Sequence, residues 1–295
     1  MLKITRVFAE RVQKDATDLH LIYLWSPISP TATVGDINWI PGHNIIYVLP
    51  KQTGGKPVIY LMSPTELDAT VNLSLIPCWT LSAIYPVVPV KTEILGGQNI
   101  TWDVYIHGGS SLTDKNTGLD AAYLYWEAKT VPDTPPSPPS SPLPGQHAFV
   151  ERFCPNTSDL YDNNSVVLPV PLLMPYLDKV LKTLGLHTEA RTSFITYWLP
   201  SFLKHTHVAL RFVPQAAYER AAPLNVSPAP DVVTRVFMLF KGVPLENLEL
   251  WPEAQVRVTN NVDMWCEVVG VDAEKASNAG LFRVLEWGGM EVLRG

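Results

Sequence analysis

Between Val131 and Pro144 the chain reads VPDTPPSPPSSPLP, with seven prolines in fourteen residues. Such a run favours extended polyproline II backbone and fits neither a helix nor a ladder of paired strands. It therefore divides the chain, and the hydrophobic period differs on its two sides. Before it the pattern is β, with candidate strands at Leu19–Trp25, Ile45–Leu49, Val58–Met62, Thr70–Ile76, Thr80–Ile84, Ile100–Ile106 and Ala121–Glu127. Each is short, rich in β-branched or aromatic residues, and bounded by Pro, Gly, Asn or Asp. Val71, Leu73 and Leu75 alternate with polar neighbours, as a half-buried strand requires, and Gly54-Gly55, Gly96-Gly97 and Gly108-Gly109 read as turns.

After the run the period lengthens. Leu172, Leu173, Tyr176, Leu177, Val180, Leu181 and Leu184 recur at helical spacing, with Pro175 read in the first turn and Gly185 as a C-terminal cap. A second helix is expected from Thr188 as N-cap, its stripe formed by Phe194, Ile195, Trp198, Leu199, Phe202 and Leu203, with Pro200 kinking or interrupting it near Thr196. Strands return at Val208–Val213, Val232–Phe240, Val256–Val258 and Leu281–Trp287, and Ala216–Ala221 reads as a short helix. The expected fold is mixed β and α+β. An antiparallel β-sandwich spans residues 1–130 and a proline-rich linker or insertion spans 131–147. An α+β half, 148–295, packs a helical hairpin on a small sheet against the first unit.

Composition removes several classes of function. The 295 residues are 46% hydrophobic and 17% charged, the reverse of a disordered chain. With 28 acidic against 22 basic residues there is no basic stripe for nucleic acid. No window approaches the about 18 apolar residues of a membrane span. Lys3, Arg6, Glu10, Arg11 and Lys14 interrupt the N-terminus, which predicts no secretory leader and a cytoplasmic protein. Five Asn-x-Ser/Thr sequons, at Asn72, Asn99, Asn156, Asn163 and Asn225, leave a secreted form open. Cys78, Cys154 and Cys266 form no CxxC pair and read as free thiols.

The common catalytic signatures are missing: no GxSxG elbow, HExxH, Walker A loop or GxGxxG after a strand. No cofactor and no metal is expected. His205-x-His207 is the nearest approach to a metal pair, with His187 or Glu189 as a third ligand, but it reads equally as a polar connection. Two carboxylates stand beside tryptophans, at Trp126-Glu127 and Glu286-Trp287, the pairing of acid and stacking platform that glycoside hydrolysis uses. Arg211 and Arg235 lie in apolar strands, on a solvated face or against a carboxylate such as Glu127, Glu189, Asp231 or Glu286.

Five segments occur in fixed order: KPVIYL (Lys56–Leu61), YLYWEA (Tyr123–Ala128), TSFITYWLP (Thr192–Pro200), PAPDVVTRVFMLF (Pro228–Phe240) and VLEWGG (Val284–Gly289). Together they resemble an uncharacterised family of predicted bacterial and fungal proteins over most of residues 56–289. The resemblance carries no activity. It implies that both sides of the proline run form one recurring unit.

Three functional readings follow. The first is small-molecule or glycan binding in an aromatic-lined cleft between the halves, lined by Tyr123, Tyr125, Trp126, Trp198, Arg211 and Trp287. The second is an enzyme with Glu127 or Glu286 as acid and base, assisted by Arg235 and Tyr197, performing glycosidic hydrolysis or a cyclisation-type proton transfer. The third is a structural or interaction protein that docks through the proline run.

Overall fold

A computed structural model of the chain describes residues 53–131 and 153–293, apart from Leu95. It also describes the backbone of three strands that pair in the order β2-β1-β3: β1 (Leu19–Tyr23), β2 (Ser26–Ile28) and β3 (Ile46–Pro50). The last two residues of the expected strand Leu19–Trp25 and the proline-rich run beyond Val131 lie outside the described residues.

The first described block holds eight strands: β4 (Thr53–Met62), β5 (Leu67–Leu75), β6 (Trp79–Tyr85), β7 (Lys91–Thr92), β8 (Gln98–Ile106), β9 (Leu112–Asp114), β10 (Asp120–Ala121) and β11 (Leu124–Thr130). The second block opens with β12 (Val166–Pro169), α1 (Val170–Thr183), α2 (Thr188–Phe202), β13 (His207–Val213), α3 (Gln215–Ala221), β14 (Leu224–Ser227) and β15 (Val232–Val243). Short helices α4 (Pro252–Arg257), α5 (Met264–Val269) and α6 (Ala273–Ser277) then lead to β16 (Arg283–Glu291).

The fold is mixed β and α+β, in three layers. A seven-stranded sheet runs β12-β13-β15-β16-β4-β11-β6, antiparallel except for the parallel pair β15–β16. A second sheet runs β10-β9-β8-β5-β14, with β7 also on β8. Side-chain alternation divides the seven-stranded sheet between two cores. On β4, Ile59 and Leu61 face the second sheet, while Val58, Tyr60 and Met62 face the α1–α2 hairpin. The same parity sends Trp126, Phe237 and Val284 to the sheet-side core and Trp287, Met238 and Leu210 to the helix-side core.

The sheet joins the two sides of the proline run at β16–β4: β4, β11 and β6 precede the run, and β12, β13, β15 and β16 follow it. In return β14 completes the second sheet by pairing with β5. The small separate sheet expected under the hairpin is therefore one edge of this larger sheet. The ends of the two described blocks also meet. Val131 donates its N–H to the Cys78 carbonyl at 2.9 Å, and the Asn156 side-chain amide donates to the Val131 carbonyl at 2.6 Å.

Several local expectations change. Val256–Val258, expected as a strand, lies in and just after α4, where Pro252 occupies the first turn and supplies helical φ. His187, not Thr188, is the N-cap of α2, its Nδ1 accepting from the Ala190 N–H at 3.4 Å. Pro200 does not stop α2, which runs to Phe202; so near the end, proline forfeits one bond to the Thr196 carbonyl. Helix α1 starts at Val170, ahead of the expected start, so Pro175 lies beyond its first turn. It ends as expected: Gly185 takes φ +88°, with Gly185 N–H to Lys182 O and Leu186 N–H to Leu181 O both at 3.0 Å.

Gly54-Gly55, expected as a turn, lies inside β4. Gly55 and Gly289 face each other across β4 and β16. A Cβ on Gly55 would sit 2.7 Å from the Trp198 ring and 2.9 Å from the Tyr197 hydroxyl, and one on Gly289 would sit 3.1 Å from Trp198. The glycine pair is the gap through which α2 lays Trp198 against the sheet. Gly55→Ala should thus lower stability by about 1–3 kcal/mol through overpacking, seen as an earlier denaturant midpoint with unchanged slope.

Candidate functional site

Trp126, Arg211, Arg235 and Glu286 lie on the sheet-facing side of the seven-stranded sheet. Tyr123, Tyr125, Glu127, Tyr197, Trp198 and Trp287 lie on its helix-facing side. The sequence-derived residues therefore divide into two groups, and the single cleft expected to gather them does not form.

On the sheet-facing side, Arg235 and Glu286 are register partners across the parallel pair, and neither has exposed surface. Arg235 Nε donates to Glu286 Oε2 and its Nη1 to Glu219 Oε2. Trp126 Nε1 donates to Glu286 Oε1 at 2.9 Å, and the Tyr218 hydroxyl to the same oxygen at 3.3 Å. The Arg235 guanidinium stacks on the Tyr218 ring, 4.4 Å from its centroid. Burial pulls the Arg235 pKa down, but the charge of Glu286 together with Tyr218, Glu219 and the hydrogen bond to Glu286 outweighs it, and the net shift is upward. Burial and then Glu286 hold the Tyr218 phenol well above its usual range. Both Glu286 oxygens are engaged in a closed core, so no substrate reaches them. The Glu127/Glu286 pair proposed for glycosidic chemistry fails for that reason, and because the two carboxylates point from opposite faces of the sheet. Arg211 is likewise buried on this face, on β13 beside Leu239.

The helix-facing group is partly open. The face of β6 bearing Thr80 and Ser82 is exposed, and Glu127 beside it accepts from Ser82 Oγ at 3.0 Å and from the Tyr125 hydroxyl at 3.3 Å. Burial, with the Glu127 charge adding, pushes the Tyr197 phenol up to about 12. Tyr123 and Tyr60 meet edge to face at 5.3 Å.

Lys56, which the sequence reading passed over, lies at the centre of this group. Relative to both β16 and β11, strand β4 carries one extra residue between Gly54 and Val58: Val58 and Gly55 oppose Trp287 and Gly289, while Val58 and Gly54 oppose Tyr125 and Ala128. This is a β-bulge in both ladders, and it accommodates Pro57, which has no N–H to donate. Lys56 takes φ +47° within it, a strained position for a side chain with a Cβ. The bulge carries its ammonium to the helix side, where Nζ donates to Ser193 Oγ at 3.0 Å and lies 5.5 Å from the Tyr197 ring centroid and 5.6 Å from that of Trp287. Burial lowers the Lys56 pKa, and the Glu189 charge opposes the shift.

Behind it, the Tyr60 hydroxyl and the indole N–H groups of Trp198 and Trp287 are buried without an acceptor among the described residues. Tyr60 lies close to Glu189 and the Trp287 indole, in hydrogen-bonding geometry with neither. Buried donors are normally satisfied, so three within one cluster set this region apart. The sequence signal for Lys56 was the proline after it: a Pro flanked by glycines and a β run implies a bulge.

His205 and His207 are not a strand pair. His205 precedes β13, bonds Glu291 Oε1 at 3.1 Å and lies over Gly242, while His207 bonds Thr206 Oγ1 at 3.3 Å. Among the described residues no three His, Cys, Asp or Glu side chains group as a metal site, and no helix is long and apolar enough to cross a membrane. No disulfide joins Cys78, Cys154 and Cys266. Cys154, half-buried, is drawn down to about 5, first by a hydrogen bond from the Cys78 thiol, with the Thr157 hydroxyl and the N–H groups of Asn156 and Thr157 adding and burial opposing.

No protein-family model matches the chain, and neither a curated protein nor a solved structure matches it significantly.

Two outcomes follow. Glu286→Gln leaves Arg235 buried beside a neutral amide and should cost about 3–5 kcal/mol in denaturant unfolding, whereas Glu127→Gln should stay within about 0.5 kcal/mol. The Cys154 thiolate contributes stability in full above its ordinary pKa of 9.0, progressively less as pH falls, and none below about 5. The stability difference between wild type and Cys154→Ser should therefore shrink as pH is lowered across that window.

Proposed function

We propose that the protein binds a small hydroxyl-rich molecule, a mono- or oligosaccharide, on the tyrosine-lined face between α2 and strands β4 and β11. The observation that carries this reading is the convergence of Tyr123, Tyr125, Tyr197 and Lys56 over three buried donors that have no acceptor among the described residues. Aromatic faces pack on the apolar face of a sugar ring, and phenols, a carboxylate and an ammonium bond its hydroxyls. Glu127 and Tyr125, already bonded to each other, supply an acceptor and a donor at the open edge.

A thermal-shift screen against soluble saccharides tests it, because a ligand that binds the folded state raises its melting temperature. At least one saccharide should stabilise wild type, Tyr125→Ala and Tyr197→Ala should abolish the shift, and Glu127→Gln should weaken binding about tenfold. The reading fails if no saccharide stabilises the protein, or if the three variants respond as wild type does.

The Lys56–Ser193 bond favours a second reading. A lysine whose pKa is lowered by burial, 3.0 Å from a serine hydroxyl, is the arrangement in which a neutral amine takes the hydroxyl proton as oxygen attacks an acyl carbon. Glu189 and the flanking rings oppose it by favouring the ammonium. A fluorophosphonate probe should then label Ser193 in wild type and not in Lys56→Met. Absence of label leaves the binding reading alone.

A further inference from the structure

At the N-terminal end of α2 a cleft of about 320 Å³ opens between the end of β4, the β8–β9 turn and the start of β16. Met62, Ser63, Ser110, His187, Ala279 and Arg283 line it. Two backbone bonds fix one wall: Ser63 N–H to Gly109 O at 3.1 Å and Gly109 N–H to Ser63 O at 3.0 Å. The volume lies at the lower end of the range of small-ligand sites.

Two of the lining side chains each carry a buried ring or guanidinium nitrogen without a partner among the described residues. Arg283 donates Nη1 to the Ala276 carbonyl at 2.8 Å, but its Nε–H is buried and unpartnered, and no carboxylate pairs with its guanidinium among the described residues. His187 uses Nδ1 to accept the Ala190 N–H that caps α2, so its neutral ring carries the proton on Nε2. That nitrogen is also buried and without a partner. Burial keeps the ring neutral, with the charges of Arg283 and Arg191 adding and that of Glu189 opposing. Glu189, the acid in the first turn of α2, also acts on Tyr60 and Lys56, on the tyrosine-lined side of the helix. The cleft thus combines an unpaired guanidinium, two buried N–H donors without acceptors and the positive end of a 15-residue helix. Met62, Pro64 and Ala279 add apolar wall, and Ser63 and Ser110 add hydroxyls.

We propose that this cleft binds a small organic acid, its oxyanion held by Arg283 Nε and His187 Nε2 and its apolar part lying on Met62 and Ala279. The site stands independently of saccharide binding on the tyrosine-lined face. Carboxylates and phosphate monoesters share the required chemistry, an oxyanion that accepts two converging N–H donors.

Isothermal titration of the full chain near neutral pH with benzoate, phenyl phosphate and benzamide tests it. At least one anion should bind with a Kd of about 1 mM or tighter, and the preferred one identifies the class. Benzamide, the neutral counterpart, should bind at least tenfold more weakly. Arg283→Gln and His187→Asn should each weaken anion binding about tenfold. Asparagine is a strong N-cap, so His187→Asn keeps the helix start while removing the Nε2 donor. Ala279→Phe fills the cleft without touching either donor and should abolish binding. The proposal is overturned if neither anion binds below about 10 mM, if benzamide binds as well as the anions, or if Ala279→Phe leaves affinity unchanged.

Discussion

Burial of both faces of the seven-stranded sheet is the constraint from which the remaining structure follows. One face packs on a second sheet and the other on a helical hairpin, so outside the bulge in β4 the residues of β4, β11, β15 and β16 are assigned to a core by parity. Moving one position along β11, from Trp126 to Glu127, changes a sealed indole bonded to Glu286 into an accessible carboxylate bonded to Ser82. On β16 the step from Glu286 to Trp287 exchanges a core ion pair for the ring beside Lys56. Adjacent residues that look alike in sequence therefore serve different ends: Arg235 and Glu286 specify how two strands pair, while their neighbours face the helix.

Sequence reading recovered the parts governed by local rules. The alternation of Val71, Leu73 and Leu75, the periodic leucines of α1 and the Gly185 cap all express backbone geometry a few residues long. The partition of the sheets was not legible, because strand order depends on contacts across more than a hundred residues: β4 pairs with β16 and β5 with β14, each pair drawn from opposite sides of the proline run. The same limit applies to the sites. Aromatic and charged residues were identified by type, but the face each occupies is fixed by pairing register. Trp126 and Trp287, both beside a glutamate, end on opposite faces.

The bulge at Lys56–Pro57 links the fold to the candidate site. A proline inside a central strand removes a ladder donor, and the extra residue that absorbs it places Lys56 at positive φ. Held there, Lys56 projects to the helix side along with the Gly55 gap, so ammonium and indole meet where α2 crosses the sheet. The hairpin covers β16 and β4 but leaves the outer face of β6 open, and the partial cover makes the tyrosines accessible while the indole donors stay buried. A strained residue and unsatisfied donors in one place are costs that an optimised core would avoid, and such costs concentrate where a protein has a function beyond folding.

The most direct test of this account is the indole N–H region of a proton–nitrogen NMR spectrum, recorded as a mixture of soluble mono- and oligosaccharides is added. If the tyrosine-lined face holds a saccharide, the signals of Trp198 and Trp287 move while that of Trp126, bonded to Glu286 on the other face, stays fixed. Movement of the Trp126 signal, or none at Trp198 and Trp287 when a saccharide is shown to bind, would contradict the account.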